Sequence, residues 1–121
     1  MDASPEPGGP RPTVDPASFF DLDIRVGTVV AVDEFPEARH PAWKLTVDFG
    51  AALGHRRTSA RITNYTAEEL LGRRVVGVCN IGSRRVAGFE SEFLVLGAVR
   101  HDGEVRLLAP DEDVEPGTPV A

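Results

Sequence analysis

The sequence predicts an all-β domain with one short helix, a five-stranded barrel carrying a C-terminal hairpin arm. Three observations predict it. The 121 residues suffice for one domain and not for two. Gly and Pro are abundant, at 12 and 10, beside an apolar fraction of 41%, a balance that favours short strands and turns over a helical bundle. Apolar and β-branched residues recur with a period of two, the repeat of a strand with one buried face.

Residues 1–17 are dominated by Pro, Gly, Asp and Glu. They offer too little apolar surface to offset ordering, so a disordered tail is expected there, with the folded domain at 18–121. Residues 24–32 are rich in Val and Ile and read as the first strand, with Gly27 marking a bulge or bend. A loop follows at 34–42. Trp43, Leu45, Val47 and Phe49 then alternate with Lys44, Thr46 and Asp48, the clearest strand of the chain. In residues 57–62, Thr58, Ala60 and Ile62 face one way and Arg57, Ser59 and Arg61 the other. Thr66-Ala67-Glu68-Glu69 fits a capping box, with Gly72 as the left-handed stop of a short helix. Residues 74–81 form a fourth strand, apolar on both faces. A loop is expected at 82–90, a fifth apolar strand at 93–99, and a hairpin turn at His101-Asp102-Gly103 leading to 105–108. Three strands, a helix and two strands is the order of the OB-fold, a five-stranded Greek-key barrel. An SH3-like barrel and a β-sandwich fragment are the alternatives; the helix favours the OB order.

The net charge is −6, but the charges are segregated. Residues 56–85 hold 7 Arg and 2 Glu, whereas 1–55 hold 4 basic and 9 acidic residues and 86–121 hold 2 and 8. One central cationic window suggests an anionic partner. The alternative is that these arginines pair with the flanking acids. No catalytic, nucleotide-binding or cofactor motif is present, and His40, His55, His101 and the single Cys79 have no metal-ligand spacing. No enzyme, metal or cofactor is therefore expected. The lone cysteine, the lack of a signal-like apolar run at the start and the lack of a membrane-length apolar stretch point to the cytoplasm without membrane insertion.

An OB-fold binds ligands on its second and third strands, between the loops joining strands one to two and four to five. Here the first loop carries Phe35, Pro36, Arg39 and His40. The third strand carries Arg57, Ser59 and Arg61. The later loop carries Arg84, Arg85 and Phe89 between Asn80 and Ser91. Arginines contact phosphates and stack on bases, and Asn and Ser can bond base edges or ribose hydroxyls. Phe35 or Phe89 could serve as a stacking platform; core packing is the other reading. RNA binding through Asn80, Arg84, Arg85, Ser91, Arg61, Ser59 and Arg57 is the expectation.

The same residues resemble a known family. Asp23-Ile24-Arg25-Val26-Gly27, Phe35-Pro36-Glu37-Ala38-Arg39, Lys44-Leu45 and Asp48-Phe49-Gly50 are similar to the start of the bacterial CsaA proteins. Ser59-Ala60, Ile62-Thr63, Asn80, Arg84-Arg85, Ala87-Gly88-Phe89, Ser91-Glu92, Leu94-Val95-Leu96-Gly97, Leu107-Leu108 and Pro110-Asp111 continue the likeness over residues 18–121. CsaA proteins are stand-alone relatives of the tRNA-binding domain attached to some methionyl- and phenylalanyl-tRNA synthetases. The resemblance implies an OB barrel, a homodimer, tRNA as partner and a chaperone role toward unfolded or exported polypeptides. It also implies RNA contacts at Asn80, Arg84, Arg85 and Ser91. Arg61 departs from the family's usual Gln, and Gly82-Ser83 from a pair containing Pro. Two further functions compete with RNA binding: a peptide-binding secretion chaperone without an RNA role, and an appendage of a synthetase assembly.

Overall fold

Alternation in the sequence becomes sidedness in the strand β2 (Trp43–Asp48), where Leu45 and Val47 are fully buried and Lys44 and Thr46 are only half-buried. The computed structural model describes residues 9–121. Of the tail expected at 1–17, residues 1–8 lie outside the described residues. A short helix α1 (Pro16–Phe20) crosses its boundary, capped by the Asp15 carboxylate, which accepts the Ala17 N–H at 2.9 Å. The strands β1 (Ile24–Glu34), β2 and β3 (His55–Ala60) form an antiparallel meander. A one-turn helix α2 (Ala67–Leu70) and β4 (Arg74–Val78) follow, and β4 returns to pair with the first half of β1. The sheet runs β3-β2-β1-β4-β7, where β7 is Leu94–Val95. The result is the nearly closed five-stranded antiparallel barrel of an OB-type fold.

The barrel closes between β3 and residues 91–93. One backbone bond crosses this seam, from the Glu92 N–H to the Arg57 carbonyl at 2.7 Å. Side chains supply the rest. The Thr58 hydroxyl donates to the Phe93 carbonyl at 2.9 Å, the Glu92 carboxylate accepts the Arg57 N–H at 2.9 Å, and Ser91 Oγ accepts the Ser59 N–H at 3.0 Å.

Phe49 and Phe93 meet edge to face, 4.9 Å between ring centroids, inside the barrel. Gly27 and Gly77 make room for them. A Cβ on Gly27 would lie 2.4 Å from Val47 Cγ1 and 2.9 Å from the Phe49 ring, and one on Gly77 would lie 2.8 Å from Phe93. Gly27 thus permits close packing, and the irregularity expected there falls instead between Val29 and Ala31. The capping box forms as read: Thr66 Oγ1 accepts the Glu69 N–H at 3.1 Å, and Glu69 Oε1 accepts the Thr66 N–H at 2.8 Å. Strand β4 is apolar on both faces because both are covered. Val75 and Cys79 enter the barrel core, whereas Val76 and Val78 join Ile24 in a second cluster outside it.

Two further expectations are corrected. The loop at 82–90 is a hairpin, β5 (Arg84–Val86) and β6 (Phe89–Ser91). Its two-residue turn places both Ala87 (φ 46°) and Gly88 (φ 82°) in the left-handed region, as a primed hairpin turn requires. The single strand at 93–99 is broken at Leu96, because β7 pairs with β4 while β8 (Gly97–Val99) pairs with β9 (Val105–Leu107) to form the arm. Tyr65 Oη accepts the Leu107 N–H at 3.0 Å and anchors the arm to the barrel. Among the described residues no helix is long and apolar enough to cross a membrane.

Candidate nucleic-acid interface

Three separated stretches of sequence converge on one open groove of about 470 Å³. The β1–β2 connection contributes Arg39 and His40, β3 and its continuation contribute Ser59 and Arg61, and the β5–β6 hairpin contributes Arg84 and Ser91. Among the described residues no Asp or Glu lines it. The cations therefore face open solvent with no acidic neighbour in the groove, an arrangement suited to an anion with several phosphates. Arg61 and Arg84 are exposed and form no ion pair among the described residues.

Strand alternation separates the two adjacent arginines. Arg84, in register with Ser91, lines the groove. Arg85 is turned to the other side of the hairpin. Its guanidinium donates to the Gly88 carbonyl at 2.9 Å and lies 3.6 Å from the Glu90 carboxylate. The alternative reading of the sequence, arginines paired with flanking acids, thus describes Arg85 and not Arg84. Glu92, the other acid considered for that pairing, accepts the Arg57 N–H instead.

Phe35 and Phe89 are buried, not free platforms, at 5% and 7% exposure. Their ring centroids lie 5.5 Å apart, and the pair bridges the β1–β2 loop to the hairpin. Cations roof the pair: Lys44 Nζ stands 4.8 Å from the Phe35 centroid, and the Arg57 guanidinium 4.6 Å from that of Phe89. This contact between residues 54 positions apart had no sequence signal. Arg57 thus covers the aromatic pair, beside the groove rather than in it.

Asn80 serves the fold. Its Oδ1 accepts the Asp23 N–H at 2.7 Å and its Nδ2 donates to the Asp21 carbonyl at 2.9 Å, clasping the segment that enters β1. Ser91 is buried, and its hydroxyl lies 3.1 Å from that of Ser59 at the barrel seam. Of the seven residues read as RNA contacts, the structure gathers Arg61, Ser59, Arg84 and Ser91 in one groove. It places Arg57, Arg85 and Asn80 around it in supporting contacts. Arg39 and His40 line the groove with no more signal than their place in the first loop. Ile81 and Leu94, each 51% exposed, add apolar surface to it that strand patterning did not reveal.

Cys79 is buried, its N–H donates to the Asp23 carbonyl, and burial pushes the thiol up from its ordinary range, which fits an inert core residue. A second groove of about 440 Å³ lies apart from these cations. It is lined by Phe19, Ile24, Val26, Val76, Leu96, Leu108 and neighbouring residues, all apolar.

A family described as "Putative tRNA binding domain" matches residues 24–119. The methionine–tRNA ligase of Porphyromonas gingivalis strain ATCC 33277 is 38% identical over 103 residues, which are 84% of this chain and 15% of the ligase. The chain thus spans about 15% of the length of the curated relatives it matches. The crystal structure of the CsaA chaperone protein from Picrophilus torridus superposes with a TM-score of 0.85 at 43% identity, covering 90% of this chain and 100% of that one. Chaperone CsaA from Bacillus anthracis gives 0.86 at 45%, covering 91% and 100%. A MetRS related protein from Pyrococcus horikoshii gives 0.81 at 28%, covering 92% and 100%.

Proposed function

The chain belongs to the tRNA-binding domain family and is CsaA-like within it, and from that premise we propose that it binds tRNA in the groove between β3 and the β5–β6 hairpin. The observation that carries this reading is the convergence of Arg39, Arg61 and Arg84, from three elements, on a groove lined by no carboxylate among the described residues. The arginines neutralise phosphates, and the Ser59–Ser91 pair and the exposed Ile81 and Leu94 meet the nucleosides between them. The role is binding rather than catalysis, as a member of a tRNA-binding family that matches only a small part of each ligase. A reducing, cytoplasmic setting suits the single buried thiol. Titration with bulk tRNA across a salt series tests the reading. Contact with roughly three or four phosphates gives a log–log slope of about −2 to −3. No binding at low salt refutes it.

The apolar groove supports a second element of the proposal, a homodimer. The C-terminal arm carries the apolar residues Val105, Leu107 and Leu108. Val105 and Leu107 turn out to pack against the chain's own core, but Leu108 stays 45% exposed. It is joined there by Phe19 and Val120, with Phe20 and Leu22 also exposed nearby in sequence. Such a contiguous apolar face fits an isologous contact. Sedimentation at micromolar concentration should show a dimer for the native chain and a monomer for Leu108→Asp. If the native chain is monomeric, the same groove is the place to test unfolded polypeptides, the partner that the names of the CsaA structures suggest.

A further inference from the structure

Ser59 and Ser91 form an unusual floor for a cationic groove. Ser91 Oγ accepts the Ser59 N–H at 3.0 Å, and the two hydroxyl oxygens are 3.1 Å apart. Two hydroxyls carry two protons, and only one can lie between the oxygens. Among the described residues neither hydroxyl has another acceptor. If Ser91 donates to Ser59, the Ser59 proton is left over; if Ser59 donates, the Ser91 proton is. In both arrangements one O–H and at least one oxygen lone pair remain for a ligand.

The surrounding arginines can only donate, and a phosphate can only accept. The serine pair adds an acceptor beside the arginines, together with a donor that changes places with it. The nucleic-acid group that both donates and accepts at one atom, on every nucleotide, is the ribose 2′-hydroxyl. A base edge carries its donors and acceptors on separate atoms, in a pattern that changes from base to base. We propose that the Ser59–Ser91 pair receives a ribose 2′-hydroxyl and makes the groove selective for RNA over DNA. This rests on the tRNA-binding reading and adds the chemical group on which discrimination depends.

Ser59→Ala is the cleanest probe. It removes one hydroxyl and keeps the Ser59 N–H bonded to Ser91 Oγ, so the seam of the barrel stays closed. Ser59→Thr keeps the hydroxyl. The ligands are one tRNA transcript and an all-deoxy oligonucleotide of the same sequence, titrated at fixed salt, with thermal melts of each variant. The native chain should prefer the RNA. The RNA-over-DNA ratio should fall by roughly three- to ten-fold in Ser59→Ala, the size of one neutral hydrogen bond, and recover in Ser59→Thr. General A-form preference cancels in the comparison of ratios, because it is shared by both proteins. An unchanged ratio in Ser59→Ala overturns the inference and leaves the pair as a structural seal. Equal binding of both ligands by the native chain also overturns it while leaving nucleic-acid binding intact. Failure to bind either ligand overturns the tRNA reading itself.

Discussion

Arg84→Ala and Arg85→Ala, adjacent in sequence, should give opposite phenotypes. Arg84 lines the groove without an acidic partner among the described residues, so its loss removes one phosphate contact. That flattens the salt slope by about 0.7–0.9. From a native slope near −2.5, raising salt from 50 to 200 mM costs the native chain about 30-fold in affinity and the variant about 10-fold. At fixed low salt the variant binds about five-fold more weakly, with its melting temperature unchanged. Arg85 instead pairs with Glu90 at 3.6 Å, both side chains more than half exposed, and ties down the Gly88 carbonyl of the turn. An exposed pair of that kind is worth less than about 1 kcal/mol, so Arg85→Ala lowers the melting point by a few degrees at most. Its salt slope stays close to the native one. Bulk tRNA titrated by anisotropy at four salt concentrations, beside thermal melts, separates the two. Equal flattening in both variants, or flattening in Arg85→Ala alone, refutes the assignment of sides on β5.

Gly27→Ala should destabilise strongly, by about 2 kcal/mol or more, because its Cβ would overlap Val47 and the Phe49 ring; a denaturant titration measures it, and a native-like midpoint contradicts the packing. The Glu69 carboxyl is held below its ordinary range chiefly by the Thr66 N–H it accepts. The stability it confers is therefore complete above the ordinary Glu range, near about 4.3, and is lost as pH falls through the depressed value. Glu69→Gln keeps an acceptor for that N–H but no titrating group, so its melting temperature should fall less steeply between about pH 5 and 3 than that of the native chain.

The fold was legible where side chains alternate against one core. β2 and the capping box at Thr66 and Glu69 could be read directly, because local pattern and burial agree there. The hairpin at 84–91 was not, because the exposed Arg84 and Arg85 give no apolar period; the pairing of β5 with β6 and the positive φ of Ala87 and Gly88 define it. The break at Leu96 was hidden because residues 93–99 are apolar throughout, so the run records burial but not the change of partner from β4 to β9. Of the candidate site, the cationic window was visible as composition. Which arginine faces the groove depends on strand register, and the meeting of Phe35 with Phe89 depends on tertiary folding, so neither could be read from spacing.

The seam between β3 and residues 91–93 is held by one backbone bond and a few side chains, where every other junction of the barrel is a strand ladder. The groove straddles that seam, with Ser59 and Arg61 on one lip and Arg84 and Ser91 on the other. A polyanion seated there grips both lips at once and acts as a removable staple on the weakest joint of the barrel. Occupancy then draws on the same free energy as local opening. The Arg57, Ser59 and Glu92 amides should exchange with solvent faster than those of the β1–β2 ladder in the free protein, and slow selectively as the groove fills.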